Sequence, residues 1–219
     1  MDLAIITGAS VGIGSQAAQR FIDDGFTVYN LSRRPCQIAG VENIPCDLAS
    51  EDSIAASLDK LIPAARQSDT LTLIHNACQM RKDSATDCAS DSLAAVMQTN
   101  VVAANSLNQA LLPHMKSGSS IIYIGSTLSE KAVAGSFSYV VSKHATVGMM
   151  KATCQDLLGT GIHTACICPG FTDTEMLRTH LGNDQTVLDS IASLNSFNRL
   201  IEPDEIASLI QWAHYNPVI

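Results

Sequence analysis

Thr7-Gly8-Ala9-Ser10-Val11-Gly12-Ile13-Gly14 follows the apolar run Leu3-Ala4-Ile5-Ile6 and leads into a helical pattern over 14–24. The apolar run reads as a buried strand, so the glycines fall on a strand-to-helix turn. Glycine serves three ends there: it allows the tight turn, admits a pyrophosphate close to the backbone, and lets the helix pack on the strand. The helix start then offers unpaired N–H groups and the positive end of its dipole to phosphate oxygens. Taken alone, Gly-x-x-x-Gly-x-Gly also suits an ordinary strand–helix connection, so the rest of the chain has to decide.

Outward from the turn, strand and helix patterns alternate. Thr27–Ser32, a weaker Val41–Pro45, Leu71–His75, 120–125 and 163–168 read as strands; 50–61, 91–114, 139–158 and Pro203–Tyr215 read as helices. Short apolar strands alternating with helices predict a doubly wound parallel sheet with helices on both faces, α/β in class. One domain over 1–219 is expected at this length. The segment from 171 to 200 is less regular. A sheet of this kind usually gains a last strand after its final helix, and no such strand is expected in the sequence as given.

Composition narrows the partners. Apolar residues make up 46% and aromatics 5%, so the core is aliphatic. Net charge is −8, with no basic run beyond Arg33-Arg34, which disfavours nucleic acid. No apolar stretch approaches the ~20 residues of a membrane span. Met1-Asp2-Leu3-Ala4 lacks the basic leader of a secretion signal and reads as the approach to the first strand. The seven cysteines form no Cys-x-x-Cys pair and have no histidine at metal-ligand spacing. Buried reduced thiols in a cytoplasmic protein, with no metal, are the expectation.

Four further positions carry chemistry. Tyr139-Val140-Val141-Ser142-Lys143 places a phenol and an ammonium on one helix face. A free phenol titrates near ~10, and a nearby cation brings it toward the range useful for proton transfer. Ser126, just past the fifth strand, lies where functional groups of parallel sheets collect, and its hydroxyl can bond a carbonyl oxygen. Asn100, a polar residue among alanines and valines, is either a bonded interior group or a partner for nearby backbone. Arg33 and Arg34 end the second strand, where a carboxylate would hold a ribose 2′-hydroxyl. Two guanidiniums there suit a 2′-phosphate, or stand as solvated loop charges.

Together with Asn76-Ala77-Cys78 after the fourth strand and Pro169-Gly170-Phe171-Thr172-Asp173-Thr174 after the sixth, these strings resemble the classical short-chain dehydrogenase/reductase family, in its order, over about 3–175. The resemblance implies a single Rossmann-like domain and an NADP(H)-dependent oxidoreductase that interconverts carbonyl and alcohol by hydride transfer, with reduction favoured. It implies a catalytic set of Asn100, Ser126, Tyr139 and Lys143. Cofactor contacts would come from Gly8, Ser10, Gly12, Ile13, Gly14, Arg33, Arg34, Asp47, Leu48, Asn76, Ala77, Tyr139, Lys143, Pro169, Gly170, Thr172 and Thr174. Tyr139 would exchange a proton with the substrate oxygen that Ser126 polarises. Lys143 would lower the Tyr139 pKa and hold the nicotinamide ribose, and Asn100 would steady Lys143 through a water. Asp47 would meet the adenine amine.

Two departures stand out. Cys78 replaces the family's glycine, which predicts a local shift, and Val11 stands where many NADP-using relatives carry a base. The resemblance also implies a small carbonyl or alcohol substrate, no membrane partner, and a homo-oligomer (dimer or tetramer) built on the two long helices. In a lid over 171–201, Met176, Leu177, Leu181, Val187, Leu188, Ile191, Leu194 and Phe197 suit pocket or packing equally; Arg178 and Arg199 are its only candidate anion anchors. A cofactor-binding regulator without turnover is the rival from another class, and retention of all four catalytic residue types speaks against it. A sugar epimerase or dehydratase of the extended relatives needs a longer chain and another glycine spacing.

Overall fold

Every side chain of β1 (Leu3–Thr7) is buried, and alternate residues feed two separate cores. Leu3 and Ile5 point into one, Ala4 and Ile6 into the other. That division is the period-2 rule acting on a strand covered on both faces, and it accounts for an unbroken apolar run at the start of the chain. The protein is described here by a computed structural model covering residues 1–218.

In chain order the elements are β1, α1 (Gly12–Asp23), β2 (Thr27–Ser32), β3 (Val41–Pro45), α2 (Glu51–Gln67), β4 (Leu71–His75), α3 (Ser90–Met97), α4 (Ala103–Leu111), β5 (Ser120–Ile124), α5 (Phe137–Asp156), β6 (His163–Ile167), α6 (Glu175–Leu181), α7 (Gln185–Ala192) and α8 (Pro203–Tyr215). The strands form one parallel sheet in the order β3-β2-β1-β4-β5-β6. From β1 the chain first builds outward to β2 and β3, then crosses to β4 and builds the other way. The carboxyl ends of β1 and β4 therefore flank the crevice where ligands of such sheets bind. Among the described residues β6 is the last strand of the sheet.

Helices α1 and α8 cover one face through Ala17, Phe21, Ile206 and Ile210, over Ala4, Ile6, Ile74 and Ile122. Phe21 stacks edge-on against Phe26 and His214, with ring centres 5.0 and 5.8 Å away. His214 turns its Nδ1 to the hydroxyls of Thr72 at 2.9 Å and Ser120 at 3.0 Å, so this buried imidazole is bonded. Helices α2, α4 and α5 cover the other face, where Leu61, Leu107 and Met149 pack against Leu3, Leu73 and Tyr123. Burying each of the larger side chains contributes roughly 1.5–3 kcal/mol.

Three helices differ from their sequence reading. Helix α2 runs through Pro63 to Gln67, although the pattern suggested an end at Leu61. The ring removes one helical N–H bond, but Leu61 and Ala65 are fully buried on either side, and that burial holds the helix together. The long helix over 91–114 is interrupted at Gln98–Val102 by a wider π-helical turn that carries Asn100. In the irregular 171–200 segment, α6 and α7 form, separated by Gly182 at φ +81° and capped by the Asp184 carboxylate. Among the described residues no helix is long and apolar enough to cross a membrane, and no group of histidine, cysteine and carboxylate side chains could hold a metal. All seven cysteines are free, but only Cys36 and Cys46 are fully buried; the other five are half-buried.

Candidate active site

The glycine turn is held from three directions. The Gly8 N–H donates to Leu31 O at 2.9 Å and the Ala9 N–H to Asn30 Oδ1 at 2.9 Å. The Asn76 side-chain amide donates to the carbonyls of Thr7 and Gly8, each at 3.0 Å, while the Thr7 hydroxyl accepts the N–H groups of Asn76 and Ala77, also at 3.0 Å. A Cβ at Gly14 would lie 2.5 Å from both Asn76 Nδ2 and Gly8 O, and one at Gly8 3.0 Å from Ala77. Gly12 takes φ +60°, a conformation that favours glycine. Val11 leaves the start of α1 without a side-chain cap, so its N–H groups face the cleft unpaired. Asn30 is essential to this arrangement. Its amide on the same strand face as Val28, between Tyr29 and Leu31, was the available signal.

Residues at the rim behave differently from one another. Arg34 forms a two-point ion pair with Glu175, Nη1–Oε1 3.1 Å and Nη2–Oε2 3.2 Å, whereas Arg33 makes no ion pair or side-chain hydrogen bond among the described residues. Asp47 Oδ1 accepts the Ala49 N–H at 3.0 Å beside buried Leu48. The Thr172 hydroxyl bonds Gly170 O at 3.2 Å, and Thr174 caps α6 by accepting the Leu177 N–H at 3.2 Å. Ser10, Gly12, Ile13, Arg33, Asp47, Asn76, Pro169, Gly170, Thr172 and Thr174 all line one cavity of about 1120 Å³, which extends to Ser126, Tyr139 and Lys143.

The inner face of α5 places Tyr139 at 9% exposure and Lys143 at 3%. Lys143 Nζ donates to Ile124 O at 2.6 Å and lies 5.5 Å from the centre of the Tyr139 ring. Ser126 Oγ accepts the Leu128 N–H at 3.0 Å, which leaves its own proton available. Burial pushes the Tyr139 phenol up; the Lys143 charge and the Ser126 hydroxyl pull it down, and the balance stays above the ordinary tyrosine value. The expected depression of this phenol is thus outweighed by desolvation. Burial opposes the charge on Lys143 too, but Cys78, Tyr139, Cys166 and Cys168 around it more than offset this, and its pKa is raised.

Neighbouring loops fix the start of α5. The Asp83 carboxylate accepts the Ser138 N–H at 3.0 Å and the Ser138 hydroxyl, and Asp83 O accepts the Phe137 N–H at 3.2 Å. Asn100, in the π-helical turn, binds both backbone groups of Gln79 (2.7 and 2.9 Å) and the Ser142 hydroxyl at 2.9 Å. Behind it, Asn100, Lys143, His75 and Tyr123 border a cavity of about 10 Å³, room for one water. Asn108 Oδ1 accepts from His75 Nε2 (2.8 Å), and burial pulls the His75 pKa down to about 4. A Cβ at Gly125 would lie 2.7 and 2.9 Å from the sulfurs of Cys168 and Cys166, so this glycine and the two thiols fit one another. Burial and the adjacent Cys168 push the Cys166 thiol up to about 12. Cys78 lines the cleft with its sulfur 3.8 Å from Met176 Sδ, while Asn76 and Ala77 keep their bonds to the turn.

The lid resolves the choice between pocket and packing residue by residue. Met176, Leu177, Leu181, Ile191 and Leu194 line the cavity, Leu188 is buried, and Val187 and Phe197 do neither. Neither candidate anion anchor is available. Arg178 pairs with Asp173 at 2.6 and 2.7 Å, and Arg199 with Glu205 at 2.6 and 2.7 Å. Besides Arg33, Arg34 and Lys143, the basic groups that line the cavity are Arg81, Lys131 and His180. Its lining carboxylates are Asp47 and Glu175, and Arg81 Nη1 donates to Ser92 Oγ at 2.7 Å.

Known proteins resemble the chain over most of its length. The chain is 28% identical to sulfoacetaldehyde reductase 2 of Chromohalobacter salexigens, covering 87% of this chain and 80% of the relative. It is 28% identical to acetoacetyl-CoA reductase of Cupriavidus necator, covering 96% and 89%. Among solved structures, a short chain dehydrogenase from Burkholderia cenocepacia in complex with NADP superposes with a TM-score of 0.85 at 26% identity, covering 96% of this chain and 89% of the other. The sequence profile of short chain dehydrogenases matches residues 2–184. With a six-stranded parallel sheet and a glycine turn opening onto its crevice, the chain belongs to the short chain dehydrogenase family of oxidoreductases.

Proposed function

We propose that the protein is an NADP(H)-dependent carbonyl reductase in which Tyr139 is the proton donor. The observation that carries this reading is a buried phenol beside a buried ammonium, in a cavity continuous with the glycine turn. A nicotinamide cofactor fits the residues present: Gly14 has no room for a side chain, the α1 N–H groups are free, and Arg33 is uncommitted. Gly8, Ser10, Gly12 and Ile13 would hold its phosphates, Asp47 and Leu48 its adenine, and Asn76, Ala77, Pro169, Gly170, Thr172 and Thr174 the remainder. When bound, the cofactor supplies hydride to the carbonyl carbon.

The raised phenol keeps its proton at neutral pH, the form a reductase needs. Ser126 donates to the carbonyl oxygen and favours the charge that develops there. Tyr139 Oη then delivers its proton to that oxygen. Lys143 stabilises the phenolate left behind and returns a proton to it, and Lys143 regains its own proton from solvent by way of the small cavity that it shares with Asn100. NADP(H) is preferred because β2 ends in two arginines and no carboxylate. Arg81 and Lys131 among the lining residues favour a small carbonyl compound bearing an anionic group. The exposed Val102 and Val141, on the two long helical stretches, suit a homo-oligomer.

Titration with NADPH and NADH, followed by nicotinamide absorbance over a panel of neutral and anionic ketones and aldehydes, tests the reading. Tyr139→Phe should lose about 10²- to 10⁴-fold in kcat while NADPH affinity persists. Equal turnover by the variant would remove Tyr139 from its role.

A further inference from the structure

Glu175 belongs to none of the motifs above, yet it closes the rim of the cleft. Its carboxylate comes from the first residue of α6 and holds Arg34, from the end of β2, at two points, 3.1 and 3.2 Å. Both ends of the bridge are anchored. The Arg34 carbonyl accepts from Asn30 Nδ2 at 3.2 Å and from the Ser32 hydroxyl. Next to Glu175, Thr174 caps α6 and stands 3.4 Å from where a Gly12 Cβ would lie. The pair therefore spans the cavity from the wall expected to hold the adenosine ribose to the lid.

We propose that Glu175 is a specificity-determining residue that competes with the cofactor's 2′-phosphate for Arg34; this rests on the NADP(H) reading above. A guanidinium fork serves one two-point acceptor at a time. A 2′-phosphate reaches Arg33 first, because Arg33 is uncommitted, and takes Arg34 only by displacing Glu175. The displaced carboxylate is left close to a phosphate dianion and repels it. A 2′-hydroxyl makes no such demand, so NAD(H) binds with the bridge intact. Glu175 thus weakens NADP(H) selectively and couples occupancy of the 2′-phosphate site to release of the α6 end of the lid.

Binding of 2′,5′-ADP, NADPH and NADH to wild type, Glu175→Gln, Arg34→Ala and the double variant tests this. Glu175→Gln is expected to tighten 2′,5′-ADP and NADPH about three- to tenfold, the scale of an exposed ion pair plus a nearby like charge. NADH should be unchanged, and the gain should vanish in the Arg34→Ala background. NADPH preferred by wild type but unchanged in Glu175→Gln overturns the competition alone, as does an equal gain for NADH or a gain that survives without Arg34. NADH preferred by wild type, with 2′,5′-ADP and NADPH bound no more tightly by Glu175→Gln, overturns the competition and the NADP(H) reading together. NADH preferred by wild type with NADPH preferred by Glu175→Gln upholds the competition and overturns only the native preference.

Discussion

Around the glycine turn, Asn30 and Asn76, remote in sequence, bond the Ala9 N–H and the carbonyls of Thr7 and Gly8, and a methyl group at Gly14 would collide with Asn76 Nδ2 and Gly8 O. The lid over 172–200 is held by local caps and two exposed arginine–carboxylate pairs, with Leu194 and Phe197 facing solvent at 76% and 80% exposure. One wall of the cleft is a close-packed lattice in which each bond presupposes the others; the other is a surface strap. The wall proposed to hold the cofactor has little freedom to change. The strap proposed to meet the substrate has a great deal, and two relatives at 28% identity are named for different carbonyl compounds.

The hardest attempt to break that contrast is Gly14→Ala. With a Cβ at 2.5 Å from Asn76 Nδ2 and Gly8 O, the turn must open. A loss of about 3 kcal/mol in denaturant unfolding is expected, with cofactor affinity falling on the order of 100-fold as the turn shifts. An alanine variant with native stability and affinity would mean the turn is as adaptable as the lid.

A pH titration of stability probes the same framework. His75 is held neutral, its pKa pulled by burial to about 4, whereas in the unfolded chain it titrates near ~6.5. Its contribution is intact above about pH 6.5 and is lost as pH falls toward 4, because the unfolded state takes up the proton first. The full loss is about 3 kcal/mol. His214 and His163, also lowered chiefly by burial, act in the same direction. Denaturant midpoints between pH 7 and 4 should fall, and His75→Gln should flatten the fall; a flat wild-type profile contradicts the burial of His75.

Changes in the lid should be the mildest. Leu194→Ala is expected to alter stability by less than about 0.5 kcal/mol and to raise KM for apolar carbonyl substrates about two- to tenfold. Phe197→Ser, outside the cavity, should leave both unchanged. Steady-state kinetics beside thermal melts would show it, and a large melting shift in either variant would place the lid in the core.

Legibility followed the same division. Apolar runs marked the strands, and the strings at 7–14, 76–78, 126–143 and 169–174 marked the places that line the cleft, because those residues answer to their neighbours in sequence. Asn30 and Asp83 went unseen since their partners lie 21 and 55 positions away. Helix α2 outran its proline because burial on either side outweighs one lost bond. Arg178 and Arg199 looked like anion anchors until the fold brought carboxylates to them, while Arg81 and Lys131, on loops the pattern left blank, line the cavity.

By itself the sequence determined the parallel sheet, the site of the glycine turn and the residue types at the proton-transfer site, since periodicity and backbone conformation are local properties. Tertiary structure decided which charges remain free, which way the Tyr139 pKa moves, and that Arg34 faces Glu175. Pairing and desolvation depend on distances through space, and those exist only once β2, α5 and α6 have come together around the cleft.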